Sequence, residues 1–393
     1  MTKKTDVIAH RGASGYVPEH SLEAYLLAVS LGADYVEPDL VLSKDGIFFA
    51  LHDILLDDTT NIADHPQFAN RRKTGLVEGV VYTGYFVSDF TAAELKLLRL
   101  QQRLPLTRST LLDGFLEIPK LTEIFALVSN LTSMSGRRIG LYPELKHPIY
   151  FNSLGFPMED MVLEYIAAAN YSIRGVNPSL INEIAPIVIQ SFIPEALIYL
   201  RTKCDLPLVQ LMARYDLYGY GPNQLRLSDV WNATNLDLIS QYASGVGPPV
   251  TFFTDDINGD YQTAKYMTSQ ARARGLAVHP YVLRWDSEVS SKSFDRNATK
   301  ETLFFVCCLE VDGIFTDYTD RTRQAVELAF VDPTRCADIC PSKFAVVPSN
   351  MRGISAGYSQ PSSQSYFMFL IVFIYMLWEP VVAVFGKGGK SLA

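Results

Sequence analysis

At 393 residues the chain has room for one large domain or two ordinary ones. Its net charge of −8, with no basic run, argues against nucleic acid as a partner. Five cysteines are an ordinary count, and neither the adjacent Cys307 and Cys308 nor the C-x-x-x-C of Cys336 and Cys340 matches a zinc ligand set; the latter two read either as a small disulfide or as free thiols.

From the N-terminus, short apolar runs end on chemically useful side chains. Val7-Ile8-Ala9 leads into His10 and Arg11, Tyr35-Val36 into Glu37, and Phe48-Phe49-Ala50-Leu51 into His52 and Asp53. Asp39 stands two residues after Glu37, so both point to the same side of a strand. In parallel α/β folds catalytic groups sit where strands end. Two imidazoles, a guanidinium and several carboxylates at such ends suggest an acid–base pair, an anion clamp and a hard-cation site, a combination suited to phosphate ester chemistry.

After His52 the alternation of strand and helix breaks. Residues 54–120 are too long for a barrel connection and read as an inserted cap over the site, with a helix start at Thr91 and Glu94 as a capping box. Beyond Leu121 the alternation returns and continues to Phe330, with Gly275 closing the helix that ends near Arg274. Strands alternating with helices predict a parallel sheet. Nine strand candidates are one more than an eight-stranded barrel needs, and the run near Phe48 is expected to be irregular or to pair as a hairpin. The expected fold is α/β, a TIM-like (β/α)8 barrel with an inserted cap after an early strand, followed by a linker over 331–365 and an apolar tail over 366–386.

The ordered motifs carry a resemblance. His10-Arg11-Gly12, Pro18-Glu19, Gly32-Ala33-Asp34 with Glu37 and Asp39, Asp45-Gly46 and His52-Asp53 together resemble the glycerophosphodiester phosphodiesterase family. YPELK (142–146), VIQSF (188–192), VHPYVLR (278–284) and DGIFTDYTD (312–320) agree, so the resemblance covers roughly 5–330, and the insert after His52-Asp53 is like that of periplasmic bacterial and secreted plant members.

The resemblance implies Glu37, Asp39 and Glu144 as ligands of a divalent cation, with His10 and His52 as the acid–base pair. An all-oxygen set suits Ca²⁺ or Mg²⁺ rather than zinc. Arg11 is placed to clamp a phosphate oxygen and Lys146, on the strand face of Glu144, to add positive charge. Glu19 is expected to contact glycerol or orient Arg11, and His279 is the best of three further pocket candidates, ahead of Gln190 and Tyr281. His20 reads as a helix N-terminal residue, Asp317 and Asp320 as caps of the closing helix, and His65 and His147 as surface residues. The implied substrate is a small glycerophosphodiester, cleaved to glycerol 3-phosphate and an alcohol such as choline or ethanolamine. A phospholipase D-like attack on lysophospholipids and a non-catalytic cell-surface relative are the alternatives.

The apolar run from Tyr366 to Trp378, resumed at Val381, approaches the ~20 residues that span a bilayer, so membrane association through the tail is an expectation. N-x-S/T tripeptides at Asn130, Asn170, Asn232 and Asn297 point to a secretory route, although Met1–Asp6 is polar and shows no leader. A secretory or membrane-associated location is favoured over the cytosol.

Overall fold

The computed structural model describes residues 5–178, 181, 186–213, 233–256, 261–286, 294 and 296–340. Its strands, in chain order, are β1 (Asp6–His10), β2 (Tyr35–Glu37), β3 (Asp39–Leu42), β4 (Phe48–Ala50), β5 (Lys73–Val77), β6 (Val80–Gly84), β7 (Gly140–Leu141), β8 (Glu144–Leu145), β9 (Ile189–Ser191), β10 (Leu208–Leu211), β11 (Gly245–Gly247), β12 (Ala277–Val278) and β13 (Gly313–Thr316). Proline divides two of the barrel staves. Pro38, which has no N–H for the ladder, separates β2 from β3, and Pro143 lies between β7 and β8. The Pro38 carbonyl still accepts from the Glu144 amide at 2.9 Å, so each broken stave stays in line with its neighbour.

Counted as staves, β1, β2/β3, β7/β8, β9, β10, β11, β12 and β13 form an eight-stranded parallel ring. The ring closes where the Asp312 amide donates to Val278 O at 3.1 Å and the Leu283 amide to Phe315 O at 2.8 Å, with β13 then pairing β1. The surplus strand candidate is β4, which pairs antiparallel with β3, Leu42 facing Phe48, and so stands outside the ring. The expected barrel is therefore present. Its interior is filled by Ile8, Tyr35, Tyr142, Val188, Val209 and Phe315, all at most 1% exposed.

Helices cover the outside. Leu22–Ser30 is capped by Ser21, whose Oγ accepts from the Ala24 amide at 3.1 Å. Pro194 opens Pro194–Lys203 in its first turn, where its missing N–H is harmless. Residues 54–120, the segment expected as an insert, bury Phe68, Phe86, Phe90, Leu95 and Ile118 in the same apolar cluster as Leu40, Phe49 and Ile124 of the barrel. The β5–β6 hairpin belongs to this insert, as does the predicted capping box of Thr91 and Glu94 at helix Ala92–Leu95.

The C-terminal boundary differs from expectation. Residue 331 does not begin a linker: it ends helix Thr319–Val331, and a further helix, Thr334–Ile339, follows. Cys336 and Cys340 do not bond each other and are not free. Four residues apart on a helix they share one face, and they pair with Cys307 and Cys308, each at a Cα–Cα separation of 5.2 Å. Among the described residues no helix is long and apolar enough to cross a membrane. The expected apolar tail at 366–386, and 341–365 before it, lie outside the described residues.

The half-cystines Cys307 and Cys308 precede β13, at the barrel end opposite the one where strands finish. Replacing Cys336 and Cys340 together by Ser is expected to lower the unfolding free energy by about 2–4 kcal/mol in urea melts while leaving turnover at low temperature close to wild type. Unchanged stability would show that the bridges do not hold the body together.

Candidate active site

His10 ends β1 and is followed by a tight reversal. Arg11 (φ 57°) and Gly12 (φ 82°) are both left-handed, and a Cβ on residue 12 would come within 2.7 Å of the Ala24 backbone. Only glycine fits there, which is the physical content of the H-R-G motif. The turn aims the Arg11 amide at Glu37, whose Oε2 accepts from it at 2.9 Å.

Glu37 ends β2, Asp39 begins β3 and Glu144 begins β8. One carboxylate oxygen from each lies within 4.8 Å of the other two, and all three residues are buried. The acids differ in their partners. Asp39 faces Arg11 Nε at 3.1 Å, His20 Nε2 at 3.0 Å and Lys146 Nζ at 3.4 Å. Burial alone would raise its pKa, but Lys146 and Arg11 prevail and hold it well below the usual carboxylate range. Glu144 has Lys146 Nζ at 2.7 Å. Burial, opposed by that ammonium and reinforced by Asp39, still pushes Glu144 up to about 8. Glu37 is raised well above its ordinary value by burial and then by the charges of Asp39 and Glu144. The cluster is short of positive charge, and its donors are all oxygens, so the residues fit a hard divalent cation. Gln190, at the centre of β9, donates from Nε2 to Glu37 Oε1 at 3.0 Å, while its own Oε1 is buried without a hydrogen-bond partner.

A cavity of about 60 Å³ opens beside this cluster, lined by His10, Arg11, Glu37, His52, Glu144, Lys146, Gln190 and Tyr281 among others. The structure thus brings together both expected histidines, both expected cations and two of the three expected acids on one wall. Each imidazole is held through Nδ1 by a carboxylate, His10 by Asp317 at 2.6 Å and His52 by Asp53 at 2.6 Å. Burial and then Arg11 bring His10 down to about 4. His52 is also pushed down, by burial and then by Arg11 and Lys146, although a quarter of its side chain meets solvent that screens those charges. Both holding carboxylates stay ionised, so each imidazole keeps its proton on Nδ1 and presents Nε2 as a base.

Two arginines of residues 54–120 reach both carboxylates. Arg103 bonds Asp53 at 2.7 Å and both oxygens of Glu19, at 2.8 and 2.7 Å. Arg108 bonds Asp317 at 2.6 Å and both oxygens of Asp286, at 3.1 and 2.7 Å. Tyr318 donates to Asp286 at 2.6 Å.

Four expectations need correction. His279 does not line the cavity beside the acids: it is fully buried in the barrel interior, where Nδ1 meets the Tyr142 hydroxyl at 2.9 Å. Its strand ends early, at Val278, so the strand-end rule placed it too near the mouth. Asp317 is no simple helix cap, because it anchors His10. His20 is fully buried and supports Asp39, with Nδ1 bound to the Tyr25 hydroxyl at 2.8 Å. His147 is not a free surface residue, since its Nδ1 pairs with Glu78 at 3.1 Å. Of the two roles expected for Glu19, the geometry has it bonded to Arg11 at 3.0 Å and absent from the cavity wall. Asp317 carries a signal that sequence reading could use, because it follows a strand just as His10 and Glu37 end theirs. The cap arginines carry none.

A family model for glycerophosphoryl diester phosphodiesterases matches residues 10–321. The chain belongs to this family. A glycerophosphodiester phosphodiesterase of Arabidopsis thaliana, GDPD6, is 32% identical over 333 residues, 84% of this chain and 87% of that relative. One from Haemophilus influenzae is 27% identical over 340 residues, 80% of this chain and 87% of the other. Among solved structures, a glycerophosphodiester phosphodiesterase from Agrobacterium tumefaciens aligns with a TM-score of 0.51 at 18% identity, covering 81% of this chain and 99% of that one. An Oleispira antarctica phosphodiesterase in complex with the product sn-glycerol-3-phosphate aligns at 0.50 and 21%, covering 82% and 97%. These structures share the fold. Family membership places the chain among the phosphoric diester hydrolases.

Two outcomes follow for this phosphodiesterase. Glu144 has its pKa raised to about 8 in the folded chain, so the stability that it contributes when protonated is lost as pH rises from about 4.5 through about 8, and Glu37, raised likewise by burial and Asp39, loses its contribution in the same direction. A bound cation replaces those protons. The rise in Tm on adding Ca²⁺ or Mg²⁺ should therefore grow from pH 5 to pH 8, and a gain independent of pH would refute the carboxylate assignment. If His10 takes part in turnover, Arg108→Met should lower kcat about 10–100-fold, as loss of an outer partner of a site residue does, with cation affinity unchanged in calorimetry and partial recovery in Arg108→Lys.

Proposed function

We propose that the chain hydrolyses glycerophosphodiesters, such as glycerophosphocholine or glycerophosphoethanolamine, to glycerol 3-phosphate and the free alcohol, with a divalent cation held by Glu37, Asp39 and Glu144. The observation that carries this reading is the single cavity lined by two carboxylate-anchored imidazoles, a guanidinium, an ammonium and two of the three clustered acids, Glu37 and Glu144. The product complex of the Oleispira antarctica enzyme supports the same substrate class.

A phosphodiester is an anion that resists nucleophiles, so its charge must be met before an oxygen can attack phosphorus. Arg11 and Lys146 bind non-bridging oxygens. When bound, the cation acts as a Lewis acid and as a template for the glycerol hydroxyls. One histidine takes the proton of the attacking glycerol hydroxyl at Nε2, and the other protonates the leaving alkoxide; the resulting cyclic phosphate is opened by water with the roles exchanged. Both imidazoles are held neutral in the free site, which suits the base. The acid form arises with substrate bound, because the phosphate engages Arg11 and Lys146, the same cations that hold the imidazoles down, and adds negative charge beside them.

Release of glycerol 3-phosphate from glycerophosphocholine, measured against lysophosphatidylcholine, tests the reading. Turnover of only the latter would favour a lysophospholipase D instead. His52→Ala should abolish turnover and leave cation affinity near wild type. Glu37→Gln should weaken the cation and recover in part with excess ion. The reverse pattern would overturn the division of labour.

A further inference from the structure

A second, larger cavity of about 250 Å³ adjoins the first and shares His52, Glu144, Lys146 and Phe192 with it. Its far wall is built by the cap hairpin. The turn between β5 and β6 is Glu78-Gly79, both left-handed at φ 50° and 88°. Such a two-residue turn favours Asn, Asp or Gly at its first position. Glutamate there is disfavoured by sterics, yet it swings its carboxylate inward over the cavity. The Glu78 side chain is only 2% exposed. Its Oε2 accepts from His147 Nδ1 at 3.1 Å, and its Oε1 is buried without a hydrogen-bond partner. A carboxylate oxygen taken out of water and left unmatched is costly, and the cost is recovered when a cation arrives. Lys146 does not play that part, being committed to Glu144 and Asp39.

The remaining walls suit an organic cation. Tyr82, from the same hairpin, and Phe192 line the space. Phe192 already carries an ammonium over its ring, with Lys146 Nζ 5.8 Å from the centroid. Ring faces and one carboxylate are the usual recognition elements for quaternary and primary ammonium groups. The small cavity is lined by Glu37, Glu144, both histidines and Arg11 and suits the phosphate and the attacking glycerol, which leaves the space past His52 for the departing alcohol.

We propose that this cavity is the subsite of the leaving alcohol and that it selects cationic alcohols, with Glu78 as counter-charge and Tyr82 as aromatic wall. This assignment rests on the phosphodiesterase reading above.

The test compares kcat/KM for glycerophosphocholine with that for glycerophosphoglycerol, whose leaving alcohol is neutral. Glu78→Gln should lower the choline-to-glycerol ratio about tenfold, and Tyr82→Leu should lower it in the same sense. A ratio unchanged in both variants, including equal loss on both substrates, would overturn the proposal. Calorimetry provides a readout without turnover: choline should bind the wild-type chain more tightly than its neutral isostere 3,3-dimethylbutanol, and Glu78→Gln should remove the difference. Equal affinity for the two would overturn the subsite. Should no diester be hydrolysed, the reading of the reaction fails, while choline binding still decides the subsite.

Discussion

Three acids packed where their oxygens come within 4.8 Å of one another are the constraint to which the rest of the site responds. Two unit charges about 4 Å apart repel by about 4 kcal/mol at the effective dielectric of a protein surface, and by more inside. The neighbours answer that repulsion unevenly. Arg11, Lys146 and His20 all turn toward Asp39, which stays ionised, whereas Glu37 and Glu144 are left holding protons. The deficit sits between two adjacent staves, β2/β3 and β7/β8. Pro38 contributes by interrupting the ladder between Glu37 and Asp39, so that one broken stave delivers two of the acids to the same face.

The insert at 54–120 is tied into the chemistry at two points. Arg103 and Arg108 each bond the carboxylate that holds one imidazole, and each also bonds a second acid, Glu19 or Asp286. A histidine whose carboxylate partner is itself clamped has one ring orientation and one tautomer. Residues 54–120 therefore help to fix the ring orientations of both imidazoles. Loss of either arginine leaves two buried acids each short of one charged partner.

The barrel was legible because parallel staves are short apolar runs separated by amphipathic helices, and because His10, Glu37 and Glu144 stand where their strands end or break, with His52 just after the extra strand β4. The same rule failed at His279, where the stave stops one residue sooner and the side chain faces the packed interior. Partnerships across the chain left no local trace. Asp317 meets His10 across 307 positions and Arg108 across 209. The arginines lie in a loop of no periodicity, so composition alone could not set them apart from solvated surface residues. Glu78 was equally silent, since its importance comes from a turn conformation and from an oxygen left unmatched in a cavity. The two bridges were half-visible: the four cysteines were noted, but spacing within each pair says nothing of pairing between them.

Those bridges have a mechanical consequence. Cys336 and Cys340 fasten the final described helix by two covalent pins to the segment that enters the last stave, at the barrel end remote from the histidines. Tension applied to the chain beyond residue 340 reaches sulfur–sulfur bonds before it reaches the hydrogen bonds of that helix, so it cannot peel the helix away turn by turn. The force is delivered to the floor of the barrel. The mouth, where the acids and the imidazoles meet, is insulated from it.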